Sequence, residues 1–255
     1  METLPGLSIV LPCFDEVDNL AQAVAEAWRA ARRVADRFEI IVVDDGSRDG
    51  TGEVARRLAS CDPAIRVVAH ERNRGYGAAL RSGIAAARMP WTFLTDADLQ
   101  FDLRELEHVV RLARSHDLVI GRRANRGDPA HRRVYASAWN LLVRLVFDLP
   151  VHDVDCAFKL ARTELLQSLG LRAEGAMISP ELVARSVERG ARVAELEVGH
   201  RPRRAGRQSG ARPRVIARAL RELIVLRARW GSGQEDPAYA MLRQWRARPW
   251  MTPTD

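Results

Sequence analysis

The sequence predicts an α/β fold built on a Rossmann-like, mostly parallel central sheet with helices on both faces. Three observations support this prediction. Short apolar runs alternate with amphipathic helical stretches through the first 120 residues. Several of these runs are apolar at every position, which is typical of strands buried on both faces. Carboxylates and glycines follow two of the runs directly, at strand ends where ligands bind in such sheets.

The apolar runs of the first half predict five strands, at Leu7–Leu11, Phe38–Val43, Ile65–Ala69, Trp91–Thr95 and Leu118–Ile120. The stretches between them predict helices around Leu20–Val34, Gly52–Leu58, Ala78–Ala87 and Leu103–Ala113. Strands that alternate with helices in this way indicate parallel pairing.

The second half predicts a helix at Arg133–Phe147, a strand at Cys156–Leu160, a helix at Pro180–Arg189, a strand at Val193–Val198 and a helix at Val215–Trp230. An Arg/Gly-rich loop, residues 200–213, precedes the last helix. We expect one domain over residues 1–230 that ends in a basic amphipathic helix. A linker and tail would follow over residues 231–255.

The composition is that of a globular protein with an excess of arginine. The 255 residues include 40 Lys+Arg and 33 Asp+Glu, which gives a net charge of +7, and Lys159 is the only lysine. This excess favours anionic partners, although a general arginine bias explains it equally well. Three cysteines without a CxxC pair argue against a disulfide scaffold and a cysteine-ligated zinc site. The chain lacks a membrane-spanning run and a secretory signal, so we expect a cytoplasmic location, with the inner face of the membrane as an open alternative.

The second predicted strand is followed by the segment Asp44-Asp45-Gly46-Ser47-Arg48-Asp49-Gly50-Thr51. Two carboxylates at a strand end could bind a base or ribose. An Asx-type turn before the next helix is the alternative, and it is favoured when this segment is considered alone.

The fourth predicted strand leads into Asp96-Ala97-Asp98-Leu99-Gln100. Carboxylates at positions i and i+2 of an extended segment project to the same side. Two such groups offer oxygen ligands to a hard divalent cation and leave coordination sites for phosphate oxygens. The position at a buried strand end favours metal binding over a structural turn, because an unpaired buried carboxylate is costly without a cation.

Two nucleotide-binding fingerprints are excluded. The glycines at Gly75-Tyr76-Gly77 lack the third glycine of a dinucleotide site, because Leu80 stands where it should be. The chain also contains no GxxxxGK[ST] phosphate loop. This segment is therefore interpreted as a tight turn at the start of a helix.

Taken in order, these motifs resemble the signature of family 2 glycosyltransferases, and most closely that of the dolichol-phosphate mannose synthases and related polyprenyl-phosphate glycosyltransferases. The residues that carry the resemblance are Leu11-Pro12-Cys13-Phe14-Asp15-Glu16, Val43–Thr51, Asn73–Ala79, Asp96–Gln100, Gly121-Arg122-Arg123, Arg133 with Ser137 and Asn140, and Asp155-Cys156-Ala157-Phe158-Lys159. The similarity covers about residues 7–230.

The resemblance implies a GT-A fold and a nucleotide-sugar donor. Donor contacts would come from Pro12, Phe14, Glu16, Asp44, Asp45, Ala97 and Arg122. A Mg²⁺ or Mn²⁺ ion would be held by Asp96, Asp98 and Gln100. Glu181 matches an acidic residue on the helix after the acceptor region. The family usually has Tyr-Asn-Glu where this chain has Phe14-Asp15-Glu16, so a hydroxyl and an amide are missing near the nucleoside.

A lipid-phosphate acceptor is already an anion and needs no general base, but it must be held close to an anionic donor. Guanidinium groups suit this task. We therefore expect Arg133 in a catalytic role and an acceptor-phosphate site formed by Arg133, Ser137, Arg203 and Arg204. Arg201–Arg207 are considered as a group. His200 lies beside them, where a structural role is the commoner one.

The last helix carries Ile216, Ala219, Leu220, Leu223 and Ile224 at helical spacing, with arginines on the opposite side. Such a helix can lie on an anionic bilayer or pack on its own domain.

We expect an inverting, metal-dependent enzyme that moves a hexose from a nucleotide sugar, GDP-mannose being favoured, to a polyprenyl or dolichyl phosphate. Its partners would be the donor, the lipid phosphate and the membrane surface. One alternative is a UDP-sugar-dependent transferase that acts on a hydroxyl acceptor. Another is a degenerate relative that only binds nucleotide. The high pI also leaves open a nucleic-acid-binding module, but interleaved surface aromatics are lacking, so no nucleic-acid partner is expected.

Overall fold

A computed structural model describes residues 3–124, 130–202 and 213–229, and only the backbone of residues 130–136, 213–218 and 229. Within these residues, the strands form one seven-stranded sheet. In chain order they are β1 (Leu7–Cys13), β2 (Phe38–Asp44), β3 (Ile65–Ala69), β4 (Trp91–Leu94), β5 (Leu118–Ala124), β6 (Lys159–Arg162) and β7 (Val193–Gly199).

The strand order across the sheet is β3-β2-β1-β4-β6-β5-β7. β6 runs antiparallel to β4 and β5, and the other neighbouring strands pair in parallel. The chain moves from β1 to β2 and β3 on one side, and then returns to β4 on the other side of β1. In open parallel sheets ligands bind outside the carboxyl ends of the strands at such a reversal. The predicted mostly parallel sheet is confirmed, and its binding edge lies at the ends of β1, β2 and β4.

The helices are α1 (Val17–Val34), α2 (Thr51–Cys61), α3 (Tyr76–Ala86), α4 (Leu106–Leu112), α5 (Ala130–Phe147), α6 (Thr163–Ser168), α7 (Ile178–Glu188) and α8 (Pro213–Arg229). α1 contacts α2 and α4, whereas α3 contacts α6 and α7. In each group, at least one helix contacts the strands of the sheet directly.

The close packing of α3 against the sheet depends on the small size of a glycine. Every residue of β1 is buried, and each buried Leu or Ile contributes about 1.5–3 kcal/mol to folding. α3 approaches this strand at Gly83, where a Cβ atom would lie 2.3 Å from Val10 Cγ1. Only glycine allows the helix to come so close. The start of α3 is thereby held near the binding edge.

Two expected elements differ from the structure, and one element of the structure was not expected. The strand expected at Cys156–Leu160 is β6 at Lys159–Arg162, because residues 153–156 form a turn in which the Val154 N–H donates to Asn140 Oδ1 (3.0 Å). The expected helix Leu103–Ala113 begins with a 3-10 turn at Leu103–Glu105 before α4. The short helix α6 was not predicted.

The expected linker and tail, residues 231–255, lie outside the described residues. None of the helices in the described part of the chain combines the length and the apolar character needed to cross a bilayer.

Candidate active site

The loop after β4 carries the two carboxylates of the Asp96-Ala97-Asp98 motif. Asp98 is buried, with 7% of its surface exposed. Its Oδ1 accepts the Gln100 backbone N–H (3.2 Å). Leu99 between them adopts a left-handed φ of 61°, a conformation that costs energy for a leucine and recurs at functional sites. The loop therefore holds a constrained turn that keeps Asp98 at the sheet edge.

Two oxygen atoms at this edge are buried without a hydrogen-bond donor among the described residues. They are Asp96 Oδ1 and Thr95 Oγ1. Burial raises the pKa of Asp96, and burial together with the charge of Asp96 raises the pKa of Asp98 to about 7. A buried carboxylate that lacks donors is stabilised by a cation.

The chemistry of these oxygens therefore fits a divalent ion. Within the described residues, no group of three His, Cys, Asp or Glu side chains could hold a metal ion. A cation bound here would take its remaining ligands from side chains of other types, from water or from a second molecule.

Tyr76, the first residue of α3, hydrogen-bonds to Asp96 through its hydroxyl group. This bond lowers the pKa of Asp96 and opposes the larger effect of burial. Tyr76 reaches Asp96 because α3 starts close to the loop at residues 173–174. The Gly77 N–H donates to the Glu174 carbonyl (2.8 Å), and a Cβ on Gly77 would lie 2.4 Å from the Ala173 carbonyl oxygen.

Glu181 fixes this loop from the other side. It is fully buried, and its Oε2 accepts the backbone N–H groups of Arg172 (2.9 Å) and Ala173 (2.8 Å). Its Oε1 accepts the Arg185 Nε–H (2.8 Å). These contacts give Glu181 a part in holding the loop on which Tyr76 depends.

Asp45, at the end of β2, is surrounded by donors. Its Oδ1 accepts the Arg74 N–H (2.9 Å) and lies 2.6 Å from His70 Nδ1, and its Oδ2 accepts the Gly75 N–H (2.8 Å). His70 Nε2 lies 2.9 Å from Ser82 Oγ. Asp45 thus connects β2 to both the turn before α3 and the helix itself.

Asp44 is also buried, and its Oδ1 accepts the Ser47 N–H (3.0 Å). This contact is the Asx-type turn that the sequence left as an alternative. Gly52 lies against the other oxygen, since a Cβ there would be 2.6 Å from Asp44 Oδ2.

The loop after β1 joins the loop after β2. The Asp15 N–H donates to Ser47 Oγ (3.0 Å) and the Glu16 N–H to Thr51 Oγ1 (2.9 Å). Pro12 is buried at the end of β1, whereas Phe14 is 43% exposed. The two loops form a continuous rim with an open aromatic ring on which a planar base can stack.

A cluster of buried charges lies near Asp96. The Arg123 guanidinium forms a two-pronged ion pair with Asp153 (2.7 and 2.8 Å). The fully buried Lys159 ammonium donates to the Cys156 carbonyl and to Ser179 Oγ. Burial lowers the pKa of Lys159 and raises that of Asp155. Arg123 and Lys159 both favour the ionised form of Asp96.

The other residues predicted for the site have separate surroundings in the structure. Arg122 is ion-paired with Glu197 on β7, since consecutive strand residues point to opposite faces and only Arg123 turns towards Asp153. Ala97 is buried, and Ser137 is exposed on α5. Gln100 Nε2 donates to the Arg201 carbonyl (3.1 Å).

The side chains of three expected residues lie outside the described part of the chain. Arg133 lies on α5 where only the backbone is described, and Arg203 and Arg204 lie outside the described residues. His200 packs edge-on against Phe101, with ring centroids 5.3 Å apart.

Sequence reasoning missed Tyr76, Arg123 and Lys159 as members of this site. The sequence contained a signal for two of them. Lys159 is the only lysine in an arginine-rich chain, which sets it apart, and the alternation of side chains along β5 separates Arg123 from Arg122. The contact of Tyr76 with Asp96 depends on how α3 is seated, so no local pattern reveals it.

Comparisons with known proteins agree with this architecture. Residues 8–170 match the family described as glycosyl transferase family 2. The dodecaprenyl-phosphate galacturonate synthase of Rhizobium johnstonii is 32% identical over 224 residues, which are 86% of this chain and 65% of the relative. The undecaprenyl-phosphate 4-deoxy-4-formamido-L-arabinose transferase of Pseudomonas paraeruginosa is 30% identical, over 82% of this chain and 62% of the relative. This chain thus spans slightly less than two thirds of these relatives.

The glucosyl-3-phosphoglycerate synthase of Mycobacterium tuberculosis, solved in complex with Mn²⁺, UDP and glucosyl-3-phosphoglycerate, superposes with a TM-score of 0.68 at 22% identity. The match covers 88% of this chain and 80% of that chain. It confirms the GT-A fold. The family match over residues 8–170 establishes that this chain belongs to glycosyl transferase family 2.

Proposed function

We propose that the protein is an inverting glycosyltransferase that moves a hexose from a nucleotide sugar to a polyprenyl phosphate. The observation that carries the proposal is the buried Asp96 carboxylate oxygen without a donor, beside Asp98 at the reversal of the strand order. The names of the relatives, which specify dodecaprenyl and undecaprenyl phosphate, support the acceptor class.

Asp96 and Asp98 would hold a Mg²⁺ or Mn²⁺ ion, with the Gln100 side-chain oxygen as a further ligand. When bound, this ion would supply Lewis-acid stabilisation of the departing diphosphate. The chain's own contribution is to keep both carboxylates in place: the Gln100 N–H orients Asp98 and the Tyr76 hydroxyl orients Asp96.

The nucleoside of the donor would occupy the rim formed by the loops after β1 and β2. Phe14 offers an exposed ring for stacking, and Pro12, Glu16, Asp44 and Ala97 would complete the contacts. The contacts of Asp45 favour a positioning role, because both of its oxygens already accept protein donors. GDP-mannose remains a prediction. The relatives are named for galacturonate and for 4-deoxy-4-formamido-L-arabinose, so the sugar is to be found by testing.

In the transfer step, an oxygen of the lipid phosphate attacks the anomeric carbon while the bond to the nucleoside diphosphate breaks on the opposite face. The attacking oxygen is already ionised, so no proton has to be removed. Arg133, Ser137, Arg203 and Arg204 would hold the acceptor phosphate. The partly buried Arg123 and the buried Lys159 would reduce repulsion between the two anionic substrates.

The acceptor is a lipid, so the protein would also touch a membrane surface. Six of the seven exposed large hydrophobic side chains of the described residues lie on α5 and α8: Leu141, Leu142, Leu145, Leu220, Ile224 and Val225. These two helices contact one another, and the exposed Arg221 and Arg227 accompany the apolar side chains. Apolar and basic residues on one surface favour an anionic bilayer.

Flotation with vesicles tests this contact. The protein should float with phosphatidylglycerol vesicles and stay behind with phosphatidylcholine vesicles. Replacement of Leu145 and Ile224 by Ser should abolish flotation, whereas equal flotation of that variant would contradict the contact.

Sugar transfer itself is tested with the purified protein, polyprenyl phosphate in detergent and a panel of UDP- and GDP-sugars. We expect a glycolipid product that requires Mg²⁺ or Mn²⁺ and disappears with EDTA. Asp98→Asn should lose the activity, while Asp18→Asn, an exposed residue of α1, should keep it. Transfer only to soluble hydroxyl acceptors, or turnover in EDTA, would contradict the proposal.

A further inference from the structure

An arginine-lined cavity lies on the α1 side of the loop that follows Gln100. Its volume is about 300 Å³. Four arginines line it, Arg29 and Arg33 from α1 and Arg104 and Arg201 from the segments beside it. Two carboxylates, Glu26 and Asp102, also face it. The lining therefore has two more positive than negative charges.

The two carboxylates are already engaged within the protein. Asp102 accepts Arg104 Nη2–H (2.6 Å) and Arg201 Nη2–H (2.5 Å). The hydrogen bond from Arg104 and the charge of Arg201 lower the pKa of Asp102 to about 2, so this group stays ionised at any ordinary pH. Glu26 accepts the Gln22 Nε2–H (2.9 Å).

The arginines are not equally engaged. Arg33 is paired with Glu107 (2.9 Å). The Arg29 side chain makes no hydrogen bond or ion pair with the described residues, and Arg104 keeps 72% of its side chain exposed although it pairs with Asp102. Guanidinium donors that point into an open cavity with a net charge of about +2 suit a phosphate group, which carries about −1.5 to −2 at neutral pH.

We propose that this cavity binds a phosphate group, with Arg29 and Arg104 as its principal donors. The ligand would be a phosphorylated small molecule or the phosphate headgroup of an anionic lipid. The cavity differs from the cation site of the proposed function, because it contains neither Asp96 nor Asp98.

The cavity is nevertheless linked to that site. The Arg201 N–H donates to the Gln100 carbonyl (2.8 Å), and Gln100 Nε2 donates to the Arg201 carbonyl. A phosphate that draws Arg201 away from Asp102 would act on the residue that orients Asp98.

The test is a calorimetric titration of the full chain with inorganic phosphate and, separately, with glycerol 3-phosphate. Both titrations are carried out in the presence of EDTA. EDTA removes cation-dependent binding at Asp96 and Asp98, so the result is independent of the proposed function. We expect saturable binding of one phosphate that weakens at least about tenfold in Arg29→Gln/Arg104→Gln. The control Arg37→Gln/Arg57→Gln makes the same charge change at exposed positions outside the cavity and should change the affinity less than about twofold.

A parallel experiment with phosphatidic acid vesicles distinguishes the two sources of phosphate. Binding only to vesicles, lost in the cavity variant and kept in the control, would support the lipid headgroup. Arg29 has no side-chain partner in the described part of the chain, so the single variant Arg29→Gln should fold and bind about threefold more weakly even if the double variant is unstable. The proposal is overturned if neither ligand form binds, or if the cavity variant and the control weaken binding equally.

Discussion

Two acidic pairs lie at the carboxyl edge of the sheet, on the strands that flank β1, and their surroundings are opposite. Asp45 at the end of β2 accepts two backbone N–H groups and pairs with His70. Asp96 after β4 has a buried oxygen with no donor among the described residues. The two aspartates therefore differ in whether a carboxylate oxygen is still available to a ligand. We infer that Asp45 of the β2 pair mainly supports the fold, while the β4 pair is available to a ligand.

The largest expected effect comes from the β4 pair. Asp98→Asn removes one charge from the proposed cation site without changing the size of the side chain. We expect sugar transfer to fall on the order of 10³-fold, with the far-UV circular dichroism unchanged. A radiochemical transfer assay with saturating Mn²⁺ measures it. If Asp98→Asn kept more than a tenth of the activity, the division of roles between the pairs would be wrong.

The second effect concerns the β2 pair and should appear in stability. Asp45→Ala leaves the Arg74 and Gly75 N–H groups and His70 without their acceptor. We expect a loss of about 2–4 kcal/mol in the free energy of unfolding. Urea denaturation in EDTA measures it, with Asp96→Ala as the matched variant. Asp96 accepts the Tyr76 hydroxyl, whereas Asp45 has three partners, so removal of the Asp96 carboxylate should cost less. If both variants lost the same free energy of unfolding, the proposed difference between the two pairs would be wrong.

The sequence predicts where the two acidic pairs lie, but not which hydrogen-bond donors reach them. The strand ends and the carboxylates on them follow from apolar runs and spacing, so Asp44, Asp45, Asp96 and Asp98 were all placed on the correct edge. The sequence does not reveal which carboxylate is saturated. The donors to Asp45 come from residues 70–75, whose position depends on how the β3–α3 connection folds back.

Arginines were harder to assign than carboxylates. The alternation along β5 separates Arg122 from Arg123, but only the register with β7 shows that Arg122 is the one opposite Glu197. The strand predicted at Cys156–Leu160 starts three residues before β6, because the apolar residues that follow the turn at residues 153–156 resemble a strand. The polar contacts of this turn with Asn140 and Arg123 come from distant parts of the chain.

The third effect is a dependence of cation binding on pH at the β4 pair. The pKa of Asp98 is raised from 3.8 to about 7, so protons compete with a cation below pH 7. We expect Mn²⁺ affinity, measured by calorimetry, to fall by up to about tenfold per pH unit below pH 7. A pH-independent affinity between pH 5.5 and 8 would contradict the proposed ligand.

The same raised pKa affects stability without metal. An unfolded chain ionises Asp98 near its ordinary pKa, whereas the folded chain holds the proton until about pH 7. Stability from this group is therefore present at low pH and is lost as the pH rises from about 4 to 7. Asp98→Asn should be more stable than the natural protein at pH 8 in EDTA, on the order of 2 kcal/mol, and the difference should vanish near pH 4.

The smallest effect concerns Tyr76, which connects the two pairs: Asp45 holds the turn before α3, and Tyr76 at the start of α3 donates to Asp96. Tyr76→Phe removes one donor from a carboxylate that already lacks one on its other oxygen. The ionised form of Asp96 then loses a stabilising bond, so the pH midpoint of Mn²⁺ binding should rise by about 0.5–1 unit. At pH 7 this corresponds to an affinity several-fold weaker, measured by calorimetry. At pH 8.5 the ionised form of the carboxylates is favoured more strongly in both proteins than at pH 7, so the difference should shrink. If Tyr76→Phe bound Mn²⁺ as tightly as the natural protein at both pH values, Tyr76 would have no role at the cation site. The turn held by Asp45 would then have a purely structural role.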